Sequence, residues 1–444
     1  MHMKNISKLL IPFDVIAVLL AALIGLNLGI FSGVAQVFGG HVTESFPQTP
    51  ADFVPAIRFV VFTDSHNNNA RVGAMIDTAY DMFDNAEPYG GIDAFCSLGD
   101  FTSIGTEPDY DNFVATLSEH IRPETKALCI LGNHETKQDY SLDMFREKFG
   151  YDPFNVTEVN GFSFISMSSY PHVTEWTYPR ICIRWAKQQL AAVEAKNDGR
   201  AVFVLQHPHN FATVYGSSFY CEPQLNTVWG GHSEVVCFSG HSHFPSSDPR
   251  SLNQSDFTNV GCGAIDRFEL EKNYLINQHP ENFDKAAEFT VVEADTDGSV
   301  HILGYDLTSG TCFRDAYIDN VNDVKNYTYS YKNMKHNDPA PVFKADTAGR
   351  AVQNENGEWI LSFDEAEDAF IVHNYTVKIT DENGKKIYKE KLIDDYYFFD
   401  GDSLADFNIG ADVLESGKTY QVTVTAQNAY HRNSAPVTFA VTAE

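Results

Sequence analysis

The chain has 444 residues, 43% of them apolar and 20% charged, which describes a globular protein with room for two or three domains and excludes a disordered one. A formal net charge of −29 argues against binding to nucleic-acid backbones, so no duplex binding is expected. A small phosphate ester is still compatible, because local metal charge outweighs a distant field screened by salt. In chain order, Lys4 and Lys8 precede an apolar stretch at residues 15–38, broken only by Asn27, Ser32 and Gln36. Residues 1–38 therefore read as a signal peptide, with small residues at Gly33-Val34-Ala35 for cleavage, or as an N-terminal membrane anchor long enough to span a bilayer. Either reading places the rest of the chain outside the cytoplasm, secreted or membrane-anchored.

Residues 39–56 are a Pro-rich polar linker. Beyond it, apolar runs alternate with amphipathic stretches. Strands are expected at 57–63, 93–98, 126–131, 161–168, 201–206 and 234–239, and helices at 70–83, 110–121 and 181–195. Strands separated by helices of this length predict βαβ crossovers and a mainly parallel sheet. Two later strands, AEFTVVEA and SVHILGYD, have no helix between them and predict a second, more antiparallel sheet packed on the first. The style changes near His336, and residues 336–444 carry alternating strands separated by turns such as Asn356-Gly357 and Asn383-Gly384. This is a small all-β sandwich. The stretch from Leu414 through Tyr420 to Asn428 resembles the E–F corner and F strand of a fibronectin type III domain, with Trp359 as its core tryptophan. The expected division is therefore 57–335 for an α/β catalytic domain of two packed sheets flanked by helices, and 336–444 for the sandwich.

Seven cysteines show no Cys-x-x-Cys spacing. Cys96, Cys129 and Cys237 lie in apolar runs and read as buried hydrophobes, while a disulfide among Cys182, Cys221, Cys262 and Cys312 is left open.

Five short motifs follow five of the predicted strands: Asp64-Ser65-His66, Gly99-Asp100, Gly132-Asn133-His134-Glu135, His207 in Gln-His-Pro, and Gly240-His241-Ser242-His243. Each alone is a weak signal, since Gly-Asp is usually a turn and a lone His usually structural. Together they point to a site, because loops beyond strand C-termini converge on one crevice and no packing rule places polar residues at every strand end. Carboxylate, amide and imidazole donors without thiolate suit Mn, Fe or Zn.

The order of these motifs resembles the calcineurin-like metallophosphoesterase superfamily over about residues 57–310. That resemblance implies two divalent metal ions. Asp64, His66 and His243 would hold one, Asn133, His207 and His241 the other, and Asp100 would bridge them. It also implies that His134 is no ligand but faces the scissile ester and protonates the leaving alkoxide or stabilises the transition state. The implied reaction is hydrolysis of a phosphomonoester or phosphodiester by a metal-bridging hydroxide. Ser103 and His66 stand where purple acid phosphatases carry an iron-binding Tyr and a Gly, so the pattern is closer to phosphodiesterases and nucleotidases. No domain resembling the nucleoside-recognition domain of secreted 5′-nucleotidases is present.

Candidates for contact with substrate are His209, which could also replace His207 as a ligand or cap the loop, and the aromatics Tyr215, Tyr220 and Trp229. The aromatic segments 169–180 and 211–233 would wall the pocket or pack under the loops, and Arg180 or Arg184 could pair with a phosphate oxygen. The sandwich is a spacer or docks to a surface ligand. A rival reading makes the chain a cell-surface binding protein with a vestigial metal domain, and a third makes it an amide or thioester hydrolase.

Overall fold

All six residues of strand β1 (Ile57–Phe62) are buried, and the alternation of their side chains defines the layers around it. In the computed structural model, which describes residues 46–138, 142–170, 178–272, 275–401 and 403–444, Ile57, Phe59 and Val61 pack into one core while Val60 and Phe62 pack into another. The N-terminal segment at 1–38, the start of the linker and residues 171–177 of the first aromatic segment lie outside the described residues.

β2 (Ala94–Ser97) and β3 (Lys126–Cys129) lie parallel to β1. A second sheet is built from β4 (Phe154–Val159), β5 (Phe162–Met167), β6 (Val202–Gln206), β7 (Val235–Ser239), β8 (Leu252–Gln254) and β9 (Thr258–Gly261), in the order β4-β5-β6-β7-β9-β8. A hairpin, β10 (Leu270–Lys272) and β11 (Leu275–Gln278), follows. β12 (Glu288–Ala294), β13 (Val300–Asp306) and β14 (Cys312–Ile318) then complete the first sheet as β14-β13-β12-β1-β2-β3.

This partition differs from the sequence expectation. The later antiparallel strands join β1 instead of forming their own sheet, and the second sheet takes the middle strands. The physical reason is pairing register: β12 lies antiparallel along β1 from Ile57↔Ala294 to Val61↔Thr290, satisfying the β1 edge that β2 leaves open. Hydrophobic periodicity reports which face is buried but not which strand is the neighbour.

Between the sheets lie Phe59, Phe164, Phe203 and Phe238, with ring centroids 4.7–5.7 Å from that of Phe59. Helices α1 (Asn69–Phe83) and α2 (Glu107–His120) cover the outer face of the first sheet. The short α3 (Leu142–Phe149) adds Phe145 to the same core. α4 (Arg180–Glu194) and α5 (Pro223–Trp229) cover the second sheet. The result is two mixed sheets face to face with helices on both outer faces. No helix among the described residues is long and apolar enough to cross a membrane. All seven cysteines are free thiols, so the disulfide left open by the sequence does not form; Cys312 alone among them is exposed.

Helix α6 (Tyr331–Asn337) leads into the sandwich. Its strands are β15 (Gly349–Gln353), β16 (Trp359–Asp364), β17 (Val372–Thr380), β18 (Lys386–Ile393), β19 (Leu404–Gly410), β20 (Thr419–Asn428) and β21 (Val437–Thr442). They form antiparallel sheets β15-β16-β19 and β18-β17-β20-β21. Trp359 is buried and donates its indole N–H to the Leu414 carbonyl at 2.9 Å, and the Tyr420 hydroxyl accepts the Glu415 N–H at 2.9 Å. Both rings lock the corner before β20, as in fibronectin-type sandwiches.

Candidate metal centre

β1, β2 and β3 run parallel, as do β6 and β7, so the five motifs leave their strands in a common direction within each sheet. Their backbones are unusual. Asp64, His66, Asp100, His241 and His243 all have positive φ, between 42° and 71°. Each such non-glycine residue costs on the order of 1–3 kcal/mol, a concentration of strain expected at functional sites. The glycines beside them leave room for close approach. A Cβ on Gly240 would stand 2.1 Å from Thr63 Oγ1 and 2.5 Å from Asp64 Oδ2, and one on Gly132 would stand 2.1 Å from Asp100 Oδ1.

The candidate residues converge in two groups, each with donor atoms within 4.8 Å of one another: Asp64, His66 and His243, and Asp100, His207 and His241. Asp100 also groups with His66 and His134. Asn133 joins the second group, its Oδ1 lying 3.1 Å from His207 Nε2. All of these except His134 are buried.

The donors are oriented from behind. Asp64 Oδ2 accepts from Thr63 Oγ1 at 2.7 Å and from the His241 N–H at 2.8 Å. Its Oδ1 is buried without a hydrogen bond and lies 3.3 Å from His243 Nε2. Asp100 Oδ1 accepts the His134 N–H at 2.8 Å, which leaves Oδ2 3.3 Å from His207 Nε2. His207 donates Nδ1–H to the Leu98 carbonyl at 2.8 Å, and His243 donates Nδ1–H to the Arg267 carbonyl at 3.0 Å. Once such a ring is neutral, its Nε2 presents a lone pair. His66 Nε2 and His243 Nε2 face each other at 2.9 Å beside a carboxylate oxygen that has no donor. Converging lone pairs of this kind call for a cation, and the donor set fits a borderline divalent metal.

The electrostatics divide the ligands: burial lowers His207 but Asp100 more than offsets it and raises the ring to about 9, and Asp64 likewise raises His243 against burial, so each of these two holds a proton that a metal ion would displace. Burial raises the Asp64 carboxyl, but His243 and His207 more than offset it and hold the group below the usual carboxylate range. Asp100 is likewise held down against burial by His207, His134 and His66. Burial, and then His243, lowers His66 to about 3, while burial and His207 push His241 well down. Both rings are thus neutral, as ligands must be.

His134 is the one partly exposed member, with 24% of its side chain accessible. Nδ1 donates to the Ser103 carbonyl at 2.6 Å, and Nε2 points toward Lys137 Nζ at 2.9 Å and Asp100 Oδ2 at 3.8 Å. Ser103, at the position of the purple acid phosphatase tyrosine, donates its hydroxyl to the His66 carbonyl at 3.0 Å.

The other substrate candidates take different places: Tyr220 stands beside the site and His209 braces it, while Trp229 and Tyr215 are packed away from it. Trp229 is fully buried in the core beneath the second sheet and donates to Gln206 Oε1 at 2.9 Å, so its indole walls no pocket. The loop that carries it is helical because Pro223 opens α5 behind the capping side chain of Glu222. His209 is buried with both ring nitrogens 2.8 Å from serine hydroxyls, Ser239 and Ser242, and so ties its loop to the Gly-His-x-His segment. Tyr220 stands edge-on to His241, its ring centroid 5.4 Å away. Tyr215 is buried under the Arg250 guanidinium at 3.8 Å and bonds Glu271 and His373. Arg180 and Arg184 are exposed on α4.

Two roles escaped sequence reasoning, that of Glu135, present in the third motif without an assigned part, and that of Arg71. Glu135, fully buried, accepts the N–H groups of Asp100 (2.8 Å), Thr102 (2.7 Å) and Gly132 (2.7 Å) and the Thr102 hydroxyl (2.9 Å). It clamps the Gly-Asp loop to the Gly-Asn-His loop, and its place directly after His134 was the available signal. Arg71 donates to the carbonyls of Ile265 (3.0 Å), Asp266 (2.8 Å) and Asp284 (2.6 Å), holding the segment whose Asp266 N–H reaches the Asp64 carbonyl. No local pattern announces it.

Residues 57–245 match the family model described as calcineurin-like phosphoesterase. This region is thus similar to the calcineurin-like phosphoesterases, and the C-terminal part of the chain carries the all-β sandwich. No curated protein matches the chain. Among solved structures, the cold-active protein-tyrosine phosphatase of a psychrophilic Shewanella is similar at 14% identity and TM-score 0.27, covering 60% of this chain and 82% of that one. The fibronectin(III)-like modules of Clostridium thermocellum CbhA are similar at 10% identity and TM-score 0.14, covering 40% and 78%. An α-L-rhamnosidase from Dictyoglumus thermophilum is similar at 14% identity and TM-score 0.16 over 23% of this chain, which spans only 12% of that enzyme. At such TM-scores these likenesses bear on neither mechanism nor substrate.

Proposed function

We propose that the chain is an extracytoplasmic, metal-dependent phosphoesterase that hydrolyses small phosphomonoesters or phosphodiesters at a two-metal site. The observation that carries this reading is the pair of donor groups meeting at Asp100. Asp64, His66 and His243 would hold one divalent ion, Asn133, His207 and His241 the other, and Asp100 would serve both. When bound, such ions supply Lewis acidity that activates water and neutralises charge developing on the phosphoryl oxygens. The chain's own residues then position and protonate. Leu98 and Arg267 carbonyls fix the tautomers of His207 and His243. Glu135 holds the two central loops in register. His134, anchored through Nδ1 and with its ring partly open to solvent, is placed to give a proton at Nε2 to the leaving oxygen.

The reading as a surface binding protein with a vestigial site is the weaker one, since the donors are oriented from behind and strained backbone is retained at five of them. Extracytoplasmic placement rests on the apolar segment 15–38 behind its basic flank. A panel of mono-, di- and cyclic phosphates, assayed with the metal-loaded full chain and with Asp100→Asn, tests the proposal. Hydrolysis by the wild type and none by the variant is expected. No hydrolysis of any ester, together with capture of a surface glycan or protein by the sandwich, would favour the binding reading.

A further inference from the structure

At the end of the second sheet opposite the candidate metal centre, three more metal-ligating side chains meet. Glu194 closes α4, His232 lies in the turn between α5 and β7, and Glu234 directly precedes β7. One donor atom from each lies within 4.8 Å of the other two. His232 Nδ1 touches Glu194 Oε1 and stands 4.0 Å from Glu234 Oε1. The backbone that carries these groups is fixed. Asp256 Oδ2 accepts the Gly231 N–H at 2.8 Å, the His232 N–H reaches the Trp229 carbonyl at 3.1 Å, and the Val235 N–H reaches the His232 carbonyl at 3.1 Å. The Glu234 carbonyl accepts the Val202 N–H at 2.8 Å, which registers it against β6. Among the described residues neither carboxylate pairs with a lysine or arginine, so the imidazole is the group that faces both.

Two carboxylates this close repel each other, and one imidazolium offsets at most one of the two charges. A divalent ion offsets both. One nitrogen and two oxygen donors, without thiolate, suit zinc, and the imidazole disfavours a hard cation such as Ca2+ or Mg2+. In a tetrahedral zinc site with bonds of about 2.0–2.2 Å, donors stand about 3.3–3.6 Å apart. Small rotations of the three side chains reach that spacing. All three are partly exposed, which leaves a fourth position to water. We propose that Glu194, His232 and Glu234 bind one Zn2+ that fastens the end of α4 to the start of β7. The five residues of β7, at about 3.3 Å each, set this ion roughly 16 Å from the Gly-His-x-His loop. Its role is structural, and it does not depend on the phosphoesterase reading.

The test counts the zinc bound by the full chain after equilibrium dialysis against a fixed low-micromolar Zn2+ concentration. Wild type, His232→Ala and Glu194→Gln are compared, and each is measured again in an Asp100→Asn background. Within a background the catalytic cluster is the same in all three, so its zinc cancels in the difference. His232→Ala is expected to bind one zinc fewer per chain than its parent in both backgrounds. Glu194→Gln is expected to hold that ion at least about tenfold more weakly. Both changes fall at partly exposed positions and should leave circular dichroism unaltered; if His232→Ala does not fold, Glu194→Gln decides. Zinc should also raise the melting midpoint of the wild type more than that of His232→Ala. Equal zinc in the wild type and both variants would overturn the site. A difference seen only beside an intact Asp100 would overturn it too, by assigning the lost ion to the catalytic cluster. A His232→Ala chain that melts lower yet binds as much zinc as the wild type would show that the imidazole serves as an ion-pair partner alone.

Discussion

His134 differs from its neighbours in one respect that bears on chemistry: its ring is partly open to solvent, whereas His66, His207 and His243 keep 6% or less of their side chains accessible. A ligand gains from burial, but a proton donor must meet its substrate. His134→Ala should therefore retain metal while turnover falls about 10²–10⁴-fold, and the loss should grow for esters with poorer leaving groups. Metal content and kcat across a leaving-group series check this, and a variant that loses metal in parallel with rate would make His134 a ligand. At this scale the sequence was informative, because the donor residues are stated outright in five motifs and their types restrict the metal. What it could not express are partners with no identity in the sequence. The carbonyls of Leu98, Ser103 and Arg267 orient three of the imidazoles, yet any residue can present a carbonyl. Trp229 shows the converse, a residue whose type suggested stacking on substrate but whose indole satisfies Gln206 in the core.

The elements matter through their ends. Gly240 lets the loop after β7 pass against Thr63 and Asp64, and a methyl group there would overlap both. Gly240→Ala should displace the Asp64 and His241 loops together, lowering metal affinity by an order of magnitude or more with the fold intact, as read by metal titration beside circular dichroism. Normal affinity in the variant would show that the loops have slack. Glu288, the first residue of β12, receives the N–H groups of Ser246 and Ser247 and is raised by burial from 4.5 to about 7. Between those values the folded protein keeps a proton that the unfolded chain has lost. This group's contribution is therefore complete below about pH 4.5 and disappears as pH rises through about 7. Glu288→Gln should flatten that part of the stability–pH curve, measured by chemical denaturation from pH 4.5 to 8; an unchanged slope would mean that the carboxyl ionises normally. Strand identity was legible along β1, β2, β6 and β7 because each is a continuous apolar run. The sheet assignment was not, because β12 pairs with β1 across more than two hundred residues and brings β13 and β14 in behind it, and periodicity contains no such information.

Across the whole molecule, the sandwich is joined to the phosphoesterase region by core contacts. His373 bonds Tyr215, Asn282 bonds Asp395 at 2.8 Å, and Tyr397 shares an apolar cluster with Tyr215, Tyr220 and Phe244, the residue after His243. Ala429 and Tyr430 enter the core between the two large sheets. The sequence pointed to a spacer or docking module, since no catalytic constellation is visible in residues 336–444 and inter-domain packing leaves no local pattern in sequence. Removing residues 340–444 should lower the melting temperature of the remaining chain and its turnover together, because the cluster behind the Gly-His-x-His loop would be opened to water. A truncated protein that melts and turns over like the full chain would restore the spacer reading. The proposed two-metal centre is tested most directly by metal stoichiometry measured alongside hydrolysis of bis-p-nitrophenyl phosphate, for the full chain and for Asp100→Asn. Two ions per chain with turnover in the wild type, and a depleted, inactive Asp100→Asn, is the predicted result; an Asp100→Asn protein with full activity would contradict it.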